Sequence, residues 1–439
     1  MISGSQREDG DAPRRAPAVV NADRFFDPRT ETFSAEERAA YQGGWLAKLV
    51  AHAHANAPAI RRALDGTGVD PAEVTSLEAL ERVPITRKDE LLDLQRAAPP
   101  FGGFLGIPTD RLTRAFMSPG PLFDPQGPEP DYWRFAPALH AAGFRRGDVM
   151  LNACGYTMTP LGLMFDEAAR SMRCVVLPSG VGNTELQVQM ARSFGATAYC
   201  GTPSFLKIIL DKAVETGLNP RADLSLRRAF VAGEMLPESL RAEIEALGTT
   251  VHQGYGTADL GCLGYECRES TGMHVPEEAI VEIVDPTTGQ NVPSGQPGEV
   301  VATVNRTTYP LLRFGTGDLS ALDISPCPCG RTSPRLVRIM GRVGDAVKVR
   351  GMFLHPRQVG AVVARFPEIE RHQVVVTRVE HRDRMTVRVE TVVAPPPDLA
   401  DRLAEALREV VHLRAEVELA PPGTIPEDAK PLVDEREWD

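Results

Sequence analysis

The chain has 439 residues, 42% of them hydrophobic and 24% charged, with a net charge of −11 and a pI near 5.5. That length is too great for one compact core, so two or more domains are expected. The acidity argues against nucleic acid or an anionic membrane as the main partner. Seven cysteines, an odd number, argue against a disulfide framework.

The opening stretch, "MISGSQREDGDAPRRAPAVV", is polar and Pro-rich and lacks the basic-then-apolar order of a secretory signal. Residues 1–22 therefore read as a flexible tail on a cytoplasmic protein, with no apolar run long enough to enter a membrane. From Ser34 to about Gly66 the pattern is helical, opened by a Ser34/Glu37 capping box. Short apolar runs at 149–154, 174–179, 196–201, 227–233 and 249–256 read as buried strands. Helices such as Asn183–Phe194 and Pro203–Glu215 separate them. This alternation predicts an α/β fold, a mostly parallel sheet with helices on both faces.

After Ala279, strands with Gly/Pro turns predict a small barrel-like β unit. Beyond about residue 341 come two strands ("HQVVVTRV", "RMTVRVETVV"), an amphipathic helix over Asp398–His412 and a last strand, "AEVELA". The expected organisation is a large N-terminal domain over 23–340, a hinge near 341–345 and a small α+β C-terminal domain over 345–439.

Four segments then carry chemistry in an informative order. They are "HQGYGTADLG" with Tyr255, "LLRFGTGDLS" with Asp318, "GRVGDAVKVRG" with Arg342 and Gly351, and "GTIPEDAKPLVDE" with Lys430. Singly each is weak: an aspartate after glycine commonly just closes a turn, and Tyr255 alone is an ordinary aromatic at a strand end. Together they resemble the adenylate-forming superfamily, and more closely its phenylacetate-CoA ligase branch. "ALERVPITRKDELLD", "SGVGNTELQVQMARSFGATAYCGTPSFL", "AGEMLPESLRAEIE" and "YECRESTGMHV" extend the resemblance over nearly the whole chain.

The resemblance implies an ATP-dependent ligase. It would convert a carboxylic acid to an acyl-adenylate and pass the acyl group to coenzyme A, or to another thiol or an amine. It implies that Asp318 accepts hydrogen bonds from both ribose hydroxyls and that Arg342 adds a donor. Two acceptor oxygens suit two vicinal hydroxyls. Tyr255, with Gly256 and Thr257, would flank the adenine, and Gly233 and Glu234 would lie at its edge. Asp259 stands where the family carries a glutamate that helps bind Mg2+; being one methylene shorter, it invites an intervening water. Lys430 matches the catalytic lysine that neutralises the α-phosphate, although it follows alanine where the family has glycine. It is the only lysine after Lys348, in a chain with six. The Lys348–Gly351 face would serve thioester formation after the C-terminal domain swings.

Two departures stand out. Where the family has a Ser/Thr/Gly-rich phosphate loop ending in lysine, this chain has "FMSPGPLFDPQGPEP". Only Ser118 and Gly120 remain as donors there, prolines 119 and 121 have no N–H, and Asp124 and Glu129 are close by. The aspartate that marks the family's hinge is replaced by Gly344, which can supply the same backbone swing.

Cys327 and Cys329 in "SPCPCGRTSPR", with Cys267 and His274, make a three-cysteine, one-histidine set suited to tetrahedral Zn2+. Reduced, buried thiols are the alternative. Four protein ligands leave no open position, so the zinc would be structural. Cys154, Cys174 and Cys200 read as core. The acyl pocket implied by the resemblance draws on Tyr156 and Met158, and its small and aromatic residues suggest an aromatic or short acid. A homodimer is left open.

Overall fold

The computed structural model describes residues 22–436 apart from 119–120, 344–346, 351, 355, 381, 392–394, 412 and 427. The tail before residue 22, Pro119, Gly120, Gly344, Asp345, Gly351 and His412 thus lie outside the described residues.

Ser34 opens the first helix, Ala35–Asn56, with the expected reciprocal capping box: its side chain accepts from the Glu37 N–H while the Glu37 carboxylate accepts from the Ser34 N–H. The helical pattern does not run through to Gly66. It breaks at Ala57, and a second helix, Pro58–Thr67, begins with Pro58 at its first turn. Proline cannot donate to the preceding turn and pushes the residue before it out of helical geometry, so the break is dictated by one residue.

The expected strands form half of a nine-stranded sheet. Val149–Asn152 lies between Val175–Pro178 and Ala198–Gly201, and Arg228–Val231 and Thr250–Thr257 follow, all in parallel. Thr250–Thr257 then turns the sheet antiparallel by pairing with Gly261–Glu266. Met273–His274, Arg335–Leu336 and Leu322–Asp323 continue it. Helices Thr184–Ser193, Pro203–Glu215 and Glu238–Ala246 pack Val188, Leu206, Ile209, Leu210, Leu240 and Ile244 against one face. Leu161–Ser171 covers the other with Met164 and Phe165.

A second sheet has the order Thr86–Arg87, Phe314–Ser320, Gly298–Val304, Ala279–Val284, with Gly341–Arg342 added beside Phe314–Ser320. Its Gly298–Val304 strand is buried throughout, as a central strand between two apolar layers should be. The C-terminal sheet orders Ala415–Leu419, Arg382–Thr391, Ile369–Val379 and Leu432–Asp434. Helix Leu399–Val411 lays Leu399, Leu403, Leu407 and Val411 on it, a four-residue repeat that places one face inward. These residues form an apolar cluster drawn wholly from positions 347–432.

Candidate functional site

The candidate nucleotide site forms where the two large sheets meet. Phe314–Ser320 presents Asp318, and the antiparallel register sets Arg342 directly across from it. Arg342 Nε donates to Asp318 Oδ1 at 2.8 Å, while the Tyr255 hydroxyl donates to Asp318 Oδ2 at 2.8 Å. Asp318 is 7% exposed and Tyr255 9%. Burial, then the charge on Asp318, push the Tyr255 hydroxyl well above its ordinary pKa, so it stays a donor. Each carboxylate oxygen retains a second lone pair. The aspartate therefore does more than close a turn: three strands converge to hold it.

Tyr255, Gly256 and Thr257 end Thr250–Thr257. A side chain at Gly256 would run into the Gly261 carbonyl and the Phe135 ring, so only glycine fits there. The Thr257 hydroxyl oxygen accepts from the Leu260 N–H at 3.1 Å and fixes the turn that carries Asp259. Gly233 follows Arg228–Val231 with φ +85°, and the next residue, Glu234, accepts from the Ser204 hydroxyl at 2.6 Å.

Asp259, 2% exposed, is paired with Lys88: Nζ lies 2.5 Å from Oδ2. Lys88 opens helix Lys88–Ala97, within the "TRKDELL" stretch that the sequence supplied without a role. The Asp259 carbonyl also accepts from Arg306, whose guanidinium lies 4.4 Å over the Tyr132 ring. The degenerate phosphate segment forms a β-hairpin, Arg114–Ser118 against Leu122–Gln126. It turns Asp124 inward, and burial, then the charge of Asp259, push that carboxyl well above the usual carboxylate range while Lys88 opposes them.

Lys430 lies just before Leu432–Asp434 of the C-terminal sheet. Its side chain is exposed, and its carbonyl accepts from Gln373 Nε2 at 3.1 Å. Tyr156 is half-buried, and its hydroxyl is taken up by Asn152 Nδ2 at 2.7 Å and by Asp166 Oδ2 at 3.2 Å, which leaves only its ring to line a pocket. Met158 is 60% exposed at φ +60°, with its carbonyl accepting from the Met117 N–H at 2.8 Å.

The cysteine set assembles at the antiparallel end of the first sheet. Cys267 follows Gly261–Glu266, His274 sits on Met273–His274, and Cys327 and Cys329 lie before Arg335–Leu336. All four are buried, with their ligand atoms within 4.8 Å of one another. Tetrahedral zinc with Zn–S bonds near 2.3 Å puts two sulfurs about 3.8 Å apart, and a sulfur and an imidazole nitrogen about 3.6 Å apart. The Cys267 and Cys327 sulfurs are 3.8 Å apart, and Cys329 Sγ is 3.4 Å from His274 Nε2. His274 Nδ1 lies 3.3 Å from the Ser333 hydroxyl, the partner that aims Nε2 at the sulfurs. The Cys267 thiol is pushed up by its hydrogen bond to Cys329 and by burial; Cys329 is held down by that bond and by His274. The donor set fits zinc. Cys154, Cys174 and Cys200 are buried away from it.

A strand-borne carboxylate, an arginine in register and an aromatic at a glycine turn are thus brought together at one place. The sequence pattern of AMP-binding enzymes matches residues 156–305, and that of the AMP-binding enzyme C-terminal domain matches 351–436. The phenylacetate-coenzyme A ligase of Thermus thermophilus is 33% identical over 437 residues, covering 92% of this chain and 96% of that protein. The enzyme of the same name from Aromatoleum evansii is 31% identical over 432 residues, with the same coverage. The chain belongs to the adenylate-forming AMP-binding enzymes, in the phenylacetate-CoA ligase family.

Among solved structures, 2-hydroxyisobutyryl-CoA ligase with its acyl-AMP and CoA in the thioesterification state superposes with a TM-score of 0.87. It is 28% identical and covers 98% of this chain and 95% of that one. The same enzyme in the postadenylation state gives 0.71 at 29% identity, covering 97% and 95%. Identity and coverage barely differ, so the gap reflects how the parts of the molecule are arranged.

Proposed function

We propose that the protein is an ATP-dependent acid–thiol ligase that activates an aromatic or short carboxylic acid as its acyl-adenylate and transfers the acyl group to coenzyme A. The observation that carries this reading is the Asp318 carboxylate fixed between Arg342 and Tyr255. A carboxylate is a poor acyl donor because oxide would have to leave. Attack of its oxygen on the α-phosphorus of ATP expels pyrophosphate and gives a mixed anhydride. The CoA thiolate then attacks the acyl carbon, AMP leaves, and the thiol proton goes to solvent.

In this cycle Asp318 accepts from both ribose hydroxyls through its remaining lone pairs, and Arg342 donates beside them. Tyr255, Gly256 and Thr257 flank the adenine, with Gly233 and Glu234 at its edge. Lys430, carried in by the C-terminal domain, neutralises the α-phosphate and the attacking carboxylate. After the swing, the face that bears Gly351 serves thioester formation. Asp259 would help hold the Mg2+ that accompanies ATP, directly or through a water, and the ion would screen the phosphate charge. Cys267, His274, Cys327 and Cys329 hold a structural zinc. Tyr156 and Met158 border the acyl pocket. The relatives named phenylacetate-coenzyme A ligase and the likeness to 2-hydroxyisobutyryl-CoA ligase favour CoA as the acceptor.

The test is a screen for pyrophosphate release over aromatic and short acids, with and without CoA. Magnesium-dependent release, followed by CoA consumption with at least one acid, is expected. Release without CoA consumption would hand the acyl group to an amine or a carrier thiol. AMP binding with no release on any acid would leave a nucleotide-binding homologue and overturn the ligase.

A further inference from the structure

The hairpin that replaces the phosphate loop buries one carboxyl against another. Asp124 is 2% exposed, and its oxygens make no well-aligned hydrogen bond; the groups that face it are the Ser118 hydroxyl, Asp259 and Lys88. Beside it Asp259, also 2% exposed, spends Oδ2 on Lys88 and leaves Oδ1 without a partner. Three buried carboxylate oxygens thus lack a well-formed hydrogen bond. Alternation along the strand explains the placement: Leu122 points in, Phe123 points out and Asp124 points in, opposite Phe116 on the partner strand.

Burial and the facing Asp259 disfavour the ionised form of Asp124, a penalty that a bound cation would offset. The Lys88 ammonium bonds Asp259 and brings a single positive charge to the two carboxyls. Hard divalent cations with oxygen ligands are the chemistry that such a pair accepts, with the remaining coordination positions left for phosphate oxygens and water. We propose that Asp124 is a second carboxylate ligand, with Asp259, for the divalent cation that arrives with ATP. In this chain a metal clamp thereby does the holding that backbone amides and a lysine would do in an open phosphate loop. The inference rests on the nucleotide site proposed above.

The test uses the full chain, Mn2+ and a non-hydrolysable ATP analogue, reading free Mn2+ by electron paramagnetic resonance and AMP affinity by calorimetry. Asp124→Asn should bind Mn2+ with the analogue at least about tenfold more weakly than the native protein, while AMP affinity without metal stays within about threefold. A melting series guards against a variant that is merely damaged. Without metal, Asp124→Asn should melt no lower than the native protein, because a neutral amide replaces a carboxyl whose charged form burial disfavours, and can donate to Asp259. Added Mn2+ and analogue should raise the native melting temperature and leave the variant's almost unmoved. Undiminished Mn2+ affinity in the variant would overturn the proposal and leave the nucleotide site standing. So would a metal-free variant that melts well below the native protein. Native protein that binds no AMP would overturn the nucleotide site, and this inference with it.

Discussion

Asp318→Asn tests the nucleoside clamp with the least disturbance, because the amide has the shape of the carboxylate. In the native site Oδ1 accepts from Arg342 and Oδ2 from Tyr255, each at 2.8 Å. Asparagine can keep its oxygen toward Arg342 and turn its amide toward the tyrosine oxygen, so the pairings survive with less charge and folding should lose only about 1–2 kcal/mol. The nucleoside fares worse, since one acceptor for a ribose hydroxyl becomes a donor. Losing a charge-assisted hydrogen bond costs about 1.5–3 kcal/mol, or about 10–150-fold in Kd. Calorimetric titration with AMP and with 2′-deoxy-AMP measures this directly. The native protein should discriminate against the deoxynucleotide, and Asp318→Asn should discriminate much less, because both changes remove the same contact. If the variant bound AMP within about twofold of native, or if the two penalties added in full, the carboxylate would not be holding the ribose.

Lys430→Ala should slow adenylation by about a hundredfold or more, the scale of one preorganised transition-state donor, while preformed adenylate is still converted to thioester. Equal loss of both half-reactions in a folded variant would remove Lys430 from its role. Metal analysis should find one zinc per chain, and Cys327→Ser should lose it along with several degrees of melting temperature; a metal-free native protein of full stability would contradict the site. Burial, then the charge of Arg241, hold the His252 pKa down to about 4. The unfolded chain protonates first, so stability is level above about pH 6.5 and falls below it, by about 3 kcal/mol from this residue on approach to pH 4. His252→Gln should flatten that part of a pH series of melts, and an unchanged slope would assign the acid sensitivity elsewhere.

The parallel strands were legible because each is a short apolar run, and the helix Pro203–Glu215 was legible to the residue because Thr202 caps it and Pro203 starts it. The break at Ala57 was also written in the chain, in Pro58, but a continuous apolar rhythm masks a one-residue interruption. What could not be read was register. Asp318 and Arg342 are adjacent motifs in sequence, yet only strand pairing makes them opposite neighbours. Lys88 reaches Asp259 from 171 positions away, and no local pattern announces such a pair. Asp124 left a faint signal. In-out alternation through Leu122, Phe123 and Asp124 puts the carboxylate on the buried side, a cue hidden by the prolines around it.

The same register constrains how the proposed cycle can turn. Gly341 and Arg342 are strand residues paired with Leu319 and Asp318, and the Val343 N–H donates to the Gly317 carbonyl at 2.7 Å. A pivot at or before Val343 would break these bonds and pull Arg342 off the carboxylate that it braces. In the proposed cycle, the swing that would carry Lys430 toward the α-phosphate is therefore expected to begin after Val343. On the proposed roles, Arg342 would stay with the nucleoside site in both half-reactions and Lys430 would serve only one of them. Replacing Arg342 should accordingly weaken AMP binding and slow adenylation and thioester formation together. Replacing Lys430 should separate the two.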